Sequence, residues 1–278
     1  MPNPSTGPVR IIERTAWRGG RFTPGERAIA EEAAVAFTYN GTSYAVMMAT
    51  PQDLEDFAVG FSISERIIAS PDDIESLEVI EQDVGIELRM RLTDAHASAF
   101  HARRRYLAGP TGCGLCGIES LGEAMRQPAS IGGDAVFTSR DIARALQALE
   151  AEQAINAQTR AVHGAAFYAP AQGLVAMRED VGRHNALDKL IGALVRSHVA
   201  GQEGFAVVTS RLSVEMIQKA ASLGIAVLVA VSAPTALAVR TADAAGMTLV
   251  AVARADGFEV FTHPHRIKEE RTLHVLAG

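Results

Sequence analysis

Two cysteines, Cys113 and Cys116, are the only ones in the chain, and they lie in the run Gly109-Pro110-Thr111-Gly112-Cys113-Gly114-Leu115-Cys116-Gly117. Four glycines in nine positions argue against regular structure there and leave the sulfurs without bulky neighbours. A thiolate is the reactive form of cysteine, and nearby cations lower its pKa. His96, His101 and Arg103 to Arg105 stand just upstream as such cations, or as plain solvated charge. An exposed thiolate of this kind can accept a sulfane sulfur as a persulfide and pass it on, with the second cysteine assisting or resolving the intermediate. Two buried small hydrophobes would be the bland reading, and the flanking glycines speak against it. Half of a zinc site is the sharper competitor. Pro110-x-x-Cys113-x-x-Cys116 resembles the cysteine half of a zinc deaminase, in which the other half is His-x-Glu. His163-Gly164-Ala165 and His184-Asn185-Ala186 both lack that glutamate, and both follow the cysteines instead of preceding them. No second Cys-x-x-Cys exists to complete a structural zinc site, so no metal ligand set is assigned.

A second group of polar residues sits where strands are expected to give way to helices. Arg178-Glu179-Asp180-Val181-Gly182-Arg183-His184-Asn185 is the first, and Thr209-Ser210-Arg211-Leu212-Ser213 repeats the arrangement one strand later. In an open α/β sheet such ends bind anions, because backbone N–H groups and the helix dipole point at them. Arg183, His184 and Arg211 would contact phosphates, and Asp180 would accept hydrogen bonds from a base or sugar. The competing reading makes Asp180, Asn185 and Ser213 helix caps, which leaves Arg211 unexplained. Ser232-Ala233-Pro234-Thr235 stands at the next strand end, where a helix start explains it as well as a ligand would. Phe261-Thr262-His263-Pro264-His265-Arg266 suits a ring system with phosphates, or a solvated tail.

These residues need a scaffold. Residues 1–30, rich in Pro, Gly and Arg, read as a flexible leader. Val35–Tyr39 and Ser43–Thr50 flank Asn40-Gly41, a strong hairpin signal. Asp53 is expected to cap a helix carrying Leu54, Phe57, Ala58 and Phe61 at helical spacing. Ser76–Ile80 and Gly85–Leu92 read as another strand pair, and residues 139–150 as a helix capped by Ser139. Beyond residue 160 a hairpin is followed by alternating helices and strands. The expected fold is α/β: a three-layer sandwich with a mostly parallel sheet over residues 136–278, preceded by a smaller α+β part over 31–135 that holds the cysteine loop.

Composition sets the outer bounds. The 278 residues are 48% hydrophobic and 21% charged, an ordinary globular mix. A net charge of −6 gives no ground for nucleic acid or an anionic membrane as partner. The longest apolar stretch, Ile225 to Ala233, is too short to span a bilayer, and Met1 to Arg10 carry no apolar signal core. A cytoplasmic location is expected, where a lone Cys-x-x-Cys serves redox, sulfur or metal chemistry and not a disulfide scaffold.

The chain resembles the FdhD family, the formate dehydrogenase accessory sulfurtransferases. The resemblance rests on Gly112-Cys113-Gly114-Leu115-Cys116-Gly117, on Glu179-Asp180-Val181-Gly182-Arg183-His184-Asn185-Ala186-Leu187-Asp188-Lys189, on Ser210-Arg211-Leu212-Ser213 and on His263-Pro264-His265-Arg266. It covers nearly all of the chain after residue 30. It implies a cytidine-deaminase-like core without the catalytic zinc. It implies sulfur received from a cysteine desulfurase and passed to a molybdenum cofactor in its bis(molybdopterin guanine dinucleotide) form, for formate dehydrogenase. By position Cys113 would carry the persulfide and Phe261 to Arg266 would lie on the cofactor. GDP would mimic its guanine arms at Asp180, Arg183, His184, Asn185, Thr209, Ser210 and Arg211. A homodimer is compatible with the resemblance. One departure stands out: where the family shows Thr-Gly-Gly before the histidine, this chain has Thr159-Arg160-Ala161-Val162-His163. Two other classes remain, a nucleotide-binding cofactor chaperone without sulfur chemistry and a zinc-dependent enzyme of the nucleobase deaminase type.

Overall fold

The computed structural model describes residues 7–94, 96 and 126–269. The cysteine loop, with Cys113, Cys116, His101 and Arg103 to Arg105, lies outside the described residues.

The expected leader is structured from residue 9 onwards. Strands β1 (Val9–Arg18) and β2 (Arg21–Ala30) pair antiparallel along their whole length. The turn between them is Gly19-Gly20, with φ of 58° and 79°, a left-handed pair that closes a two-residue hairpin without strain. Strands β3 (Ala33–Tyr39) and β4 (Thr42–Ala49) turn at Asn40 and Gly41, φ 47° and 75°, as the Asn-Gly signal predicts. Helix α1 (Leu54–Ser64) follows; Asp53 precedes it in the left-handed region and makes no side-chain cap bond. Strands β5 (Ile74–Gln82) and β6 (Gly85–Leu92) complete a four-stranded sheet in the order β4-β3-β6-β5.

The second half runs β7 (Phe137–Thr138), α2 (Ser139–Glu152), α3 (Ala154–Thr159), β8 (His163–Ala169), β9 (Gly173–Asp180), α4 (Arg183–Arg196), β10 (Phe205–Val208), α5 (Val214–Ser222), β11 (Val227–Ala230), α6 (Ala236–Ala245), β12 (Thr248–Arg254), β13 (Gly257–Val260) and β14 (Ile267–Lys268). Thr138, not Ser139, caps α2, in a reciprocal pair with Asp141. The main sheet is six-stranded, in the order β13-β12-β11-β10-β8-β9. Only β10–β11 and β11–β12 are parallel; β12–β13, β10–β8 and β8–β9 are antiparallel. The sheet is therefore mixed, not mostly parallel. Parallel neighbours need a crossover helix, which α5 and α6 provide, whereas short turns before Gly173 and Gly257 produce antiparallel neighbours.

Helix α2 covers one face of this sheet through Ile142, Ala145 and Leu149. On the other face one core takes in residues of α4, α5 and α6, then α1, then Val35, Phe37, Tyr39, Leu88 and Met90 of the four-stranded sheet. A helical layer thus lies between two sheets, one layer beyond the sandwich expected, and the core is continuous across residues 135 and 136. Helices α1 and α4 cross with their backbones in contact. A Cβ at Gly60 would fall 1.7 Å from the Asp188 carbonyl oxygen, and one at Gly192 would fall 1.9 Å from that of Asp56. Among the described residues no helix is long and apolar enough to cross a membrane.

Candidate functional site at the strand ends

Asp180 ends β9, opposite His163 at the start of β8. Its carboxylate is fully buried and has four partners within the chain. It accepts from the backbone N–H of Thr50 at 3.0 Å, from the Gly182 N–H at 2.8 Å and from Asn185 Nδ2 at 2.9 Å, and it pairs with Lys189 Nζ at 2.6 Å. Lys189, equally buried, also donates to the Thr50 carbonyl at 2.8 Å. Asn185 donates to the Met48 carbonyl at 2.9 Å, and the Val181 N–H donates to Thr50 Oγ1 at 3.1 Å. Two charges taken out of water survive only when paired and hydrogen-bonded, as these are. Asp180 and Asn185 therefore face inward and grip the β9–α4 loop against the β4–α1 junction. Base or sugar recognition by Asp180, expected from its type, would have to displace these bonds.

The same loop leaves Arg183 and His184 at the first turn of α4, both half-buried. Arg183 Nε and His184 Nε2 are shielded from solvent and have no hydrogen-bond partner among the described residues. Burial, then the Arg183 and Lys219 cations, push the His184 ring down to about 4. His163 is lowered too, by burial first and Arg183 second. At neutral pH the cluster is one guanidinium with two neutral imidazoles. Orphaned buried polar groups are costly, and a ligand with acceptor atoms would satisfy them.

Thr209 extends the β10–β8 pairing by one residue. Its N–H donates to the Gly164 carbonyl at 3.0 Å, and its Oγ1 accepts from the Gly164 N–H at 3.0 Å. This puts Thr209 beside His163. Ser210 is buried and donates to the Arg211 carbonyl at 3.1 Å, while the Arg211 side chain is exposed. Leu212 joins the next strand end, its carbonyl accepting from the Thr235 N–H at 2.9 Å. Ser213 precedes α5 without a side-chain cap bond.

Phe261 to Arg266 lie elsewhere. Thr262 is buried, accepting from the Leu249 N–H at 2.9 Å and donating to the Met247 carbonyl at 2.6 Å. Arg266 is buried and donates to the Gly246 carbonyl at 2.7 Å. The His263 ring lies 2.9 Å from the Asp243 carbonyl oxygen. Phe261, Pro264 and His265 are exposed. All these partners stand at the amino end of β12. Register places Phe261 level with Leu249, Leu228 and Ala206, three residues or about 10 Å from Thr209 along the strands. The two expected halves of one cofactor site therefore occupy opposite ends of the sheet.

Residue types alone did not point to Thr50 or Lys189, because their partners are 130 and 9 residues away in sequence. Glu179 belongs with them: it is buried and caps α3, accepting from the Ile155 and Asn156 N–H groups at 2.8 Å each. At the departure from the family pattern, Arg160 is left-handed, φ 57°, a backbone region where glycine is unstrained.

The comparisons with known proteins agree among themselves. A model of the FdhD/NarQ family matches residues 30–268. The sulfur carrier protein FdhD of Agrobacterium fabrum is 55% identical over 259 residues, covering 93% of this chain and 96% of that protein. The protein of the same name from Brucella abortus is 51% identical over 261 residues, covering 94% and 97%. A crystal structure from Desulfotalea psychrophila, described as a formate dehydrogenase accessory protein, superimposes with a TM-score of 0.72 at 23% identity, over 94% of this chain and 99% of that one.

Proposed function

The chain belongs to the FdhD/NarQ family, and from that membership we propose that it is a sulfur carrier for formate dehydrogenase, working through a persulfide on Cys113. The observation that carries this reading is the identity to proteins named sulfur carriers, at half or more of the positions over nearly the full length of both chains. Cys113 and Cys116, the only cysteines, are the only thiols that could hold the sulfur. The Cys113 thiolate attacks the sulfane sulfur of a cysteine desulfurase persulfide. The donor's sulfur–sulfur bond breaks, the desulfurase leaves as a thiolate, and Cys113 keeps the sulfur with no net oxidation. The cargo's destination is the molybdenum cofactor in its bis(molybdopterin guanine dinucleotide) form, and the chain acts in the cytoplasm. Its core is read as cytidine-deaminase-like without catalytic zinc.

The carboxyl-end cluster suits a guanine nucleotide arm of that client. Arg183 supplies a guanidinium for phosphate, and His184 and His163 offer neutral ring nitrogens that hydrogen-bond without adding charge. Intact mass after incubation with cysteine desulfurase and cysteine tests the reading. A reducible one-sulfur adduct is expected on the wild type and its absence on Cys113→Ala, which also fails to mature formate dehydrogenase. An adduct that persists on Cys113→Ala assigns the role to Cys116; full maturation by that variant overturns the persulfide mechanism.

A further inference from the structure

The β1–β2 hairpin serves no part of the chemistry above, and it precedes the residues matched by the family, apart from Ala30 at its end. Two ten-residue strands form a ribbon about 33 Å long. Pairing assigns its side chains to two faces. Val9, Ile11, Trp17, Phe22, Ala28 and Ala30 share one face with the Glu13–Glu26 pair. Arg10, Arg14, Arg18, Arg21 and Arg27 share the other with Ile12 and Ile29. The apolar face is open: Ile11 is 63% exposed, Trp17 60% and Phe22 72%, with the two aromatic rings 4.8 Å apart. A two-stranded ribbon with both faces in water is marginal by itself, and this one holds its aromatics against each other instead of against the body.

The basic face is exposed at Arg18, Arg21 and Arg27 and half-buried at Arg10 and Arg14. Arg10 pairs with Glu31, and Arg27 donates to the Thr159 carbonyl at 3.4 Å. Arg14, Arg18 and Arg21 have no carboxylate partner among the described residues; the Arg14 guanidinium lies over Gly25, with only the Thr23 carbonyl in reach, at 3.4 Å. Residues 9–30 hold five arginines and two glutamates in a chain whose net charge is −6, so the rest of the molecule is more acidic than the whole. The ribbon is rooted at α3 through Arg27 and Thr159, four residues before His163 of the carboxyl-end cluster.

We propose that this ribbon is a docking arm for an acidic, partly apolar surface on the protein that receives the cargo from the carboxyl-end cluster. The charge complement is an acidic protein and not a polyanion. Three arginines without a carboxylate partner are few for a phosphate backbone, and the exposed Trp17–Phe22 pair beside them suits a protein surface. Tryptophan and arginine together are what protein interfaces use as anchors. Location selects the receiving protein, because the root of the arm adjoins the end of the sheet where the cargo would sit. On the proposed function, that protein is the formate dehydrogenase apoenzyme, and the inference rests on that reading.

The test is binding of purified formate dehydrogenase apoenzyme to the full chain, at low and at high salt. The variants are a triple charge reversal (Arg14→Glu, Arg18→Glu, Arg21→Glu) and a double truncation (Trp17→Ser, Phe22→Ser). The charge reversal is expected to weaken binding about tenfold or more at low salt and to flatten its salt dependence. The truncation weakens binding at both salts. Both variants keep the Cys113 adduct and GDP affinity. Unchanged apoenzyme binding in both variants overturns the proposal. So does a loss confined to desulfurase binding, to self-association or to anionic vesicles of phosphatidylglycerol. Failure of the wild type to take up sulfur sinks the functional reading alone, since apoenzyme binding is read without sulfur transfer.

Discussion

Arg183 and His184 are neighbours in sequence with different fates on burial. The Arg183 cation, after burial, helps hold the His184 imidazole neutral. The consequence for stability has a definite sign. An unfolded His184 takes a proton near 6.5, whereas the folded ring resists until about 4. Stability from this residue is complete above 6.5 and is lost as pH falls through that window. Thermal melting across this range should show a decline that is shallower in His184→Gln; identical slopes would show that the ring does not titrate as its burial demands. Lys189 is the opposite case, a charge that stays buried because Asp180 and Thr50 satisfy it. Lys189→Met leaves the Asp180 carboxylate buried without its cation and is expected to cost about 3–5 kcal/mol, read from chemical denaturation. GDP affinity should fall with it, because the Arg183–His184 loop hangs from the same carboxylate.

At the scale of elements, the α1–α4 crossing decides how the two halves of the chain meet. Gly60 and Gly192 let the two backbones touch, and Asp56, whose carbonyl faces Gly192, pairs through its side chain with Arg178 at 2.6 Å and Arg196 at 2.5 Å. Ser64, near the end of α1, donates to Asp188 of α4 at 2.6 Å, and Lys219 of α5 pairs with the same carboxylate at 2.9 Å. Gly192→Ala would drive a methyl group into the Asp56 carbonyl, and backbone cannot yield as a flexible side chain does. A loss of roughly 3 kcal/mol or more is expected, as for severe core overpacking. A melting temperature within a degree or so of wild type would show that the helices can separate freely.

Across the whole molecule, the main sheet keeps the Arg183–Thr209 cluster apart from Phe261–Arg266. About 10 Å of strand separates them, so a mononucleotide held at one end reaches the other only if it lies along the sheet. Phe261→Ala is therefore expected to leave GDP affinity within about twofold, while Arg183→Ala weakens it by roughly 1.5–3 kcal/mol, the range for a charged hydrogen bond. Calorimetry on both variants is the direct measurement. Equal losses would mean that one ligand reaches both ends, through a larger client or a second copy of the chain.

Local chemistry made much of this molecule legible without coordinates. Asn40-Gly41 set a hairpin because both residues accept positive φ. The order of helices and strands after residue 160 followed from apolar periodicity, and the Glu179–Lys189 run carried the family. Gly19-Gly20 offered the same turn signal, yet the surrounding arginines and proline read as a leader. Strand direction was not legible, since a buried strand has the same composition whether its neighbour runs parallel or antiparallel. Nor was the split of polar residues between structure and site. Asp180 and Arg183 look equally suited to a ligand in sequence. The contacts of Thr50, Asn185 and Lys189 turn Asp180 inward, whereas Arg183 Nε is shielded without a partner among the described residues. The Thr50 contact, 130 residues away, depends on how remote backbones pack, which no local pattern encodes.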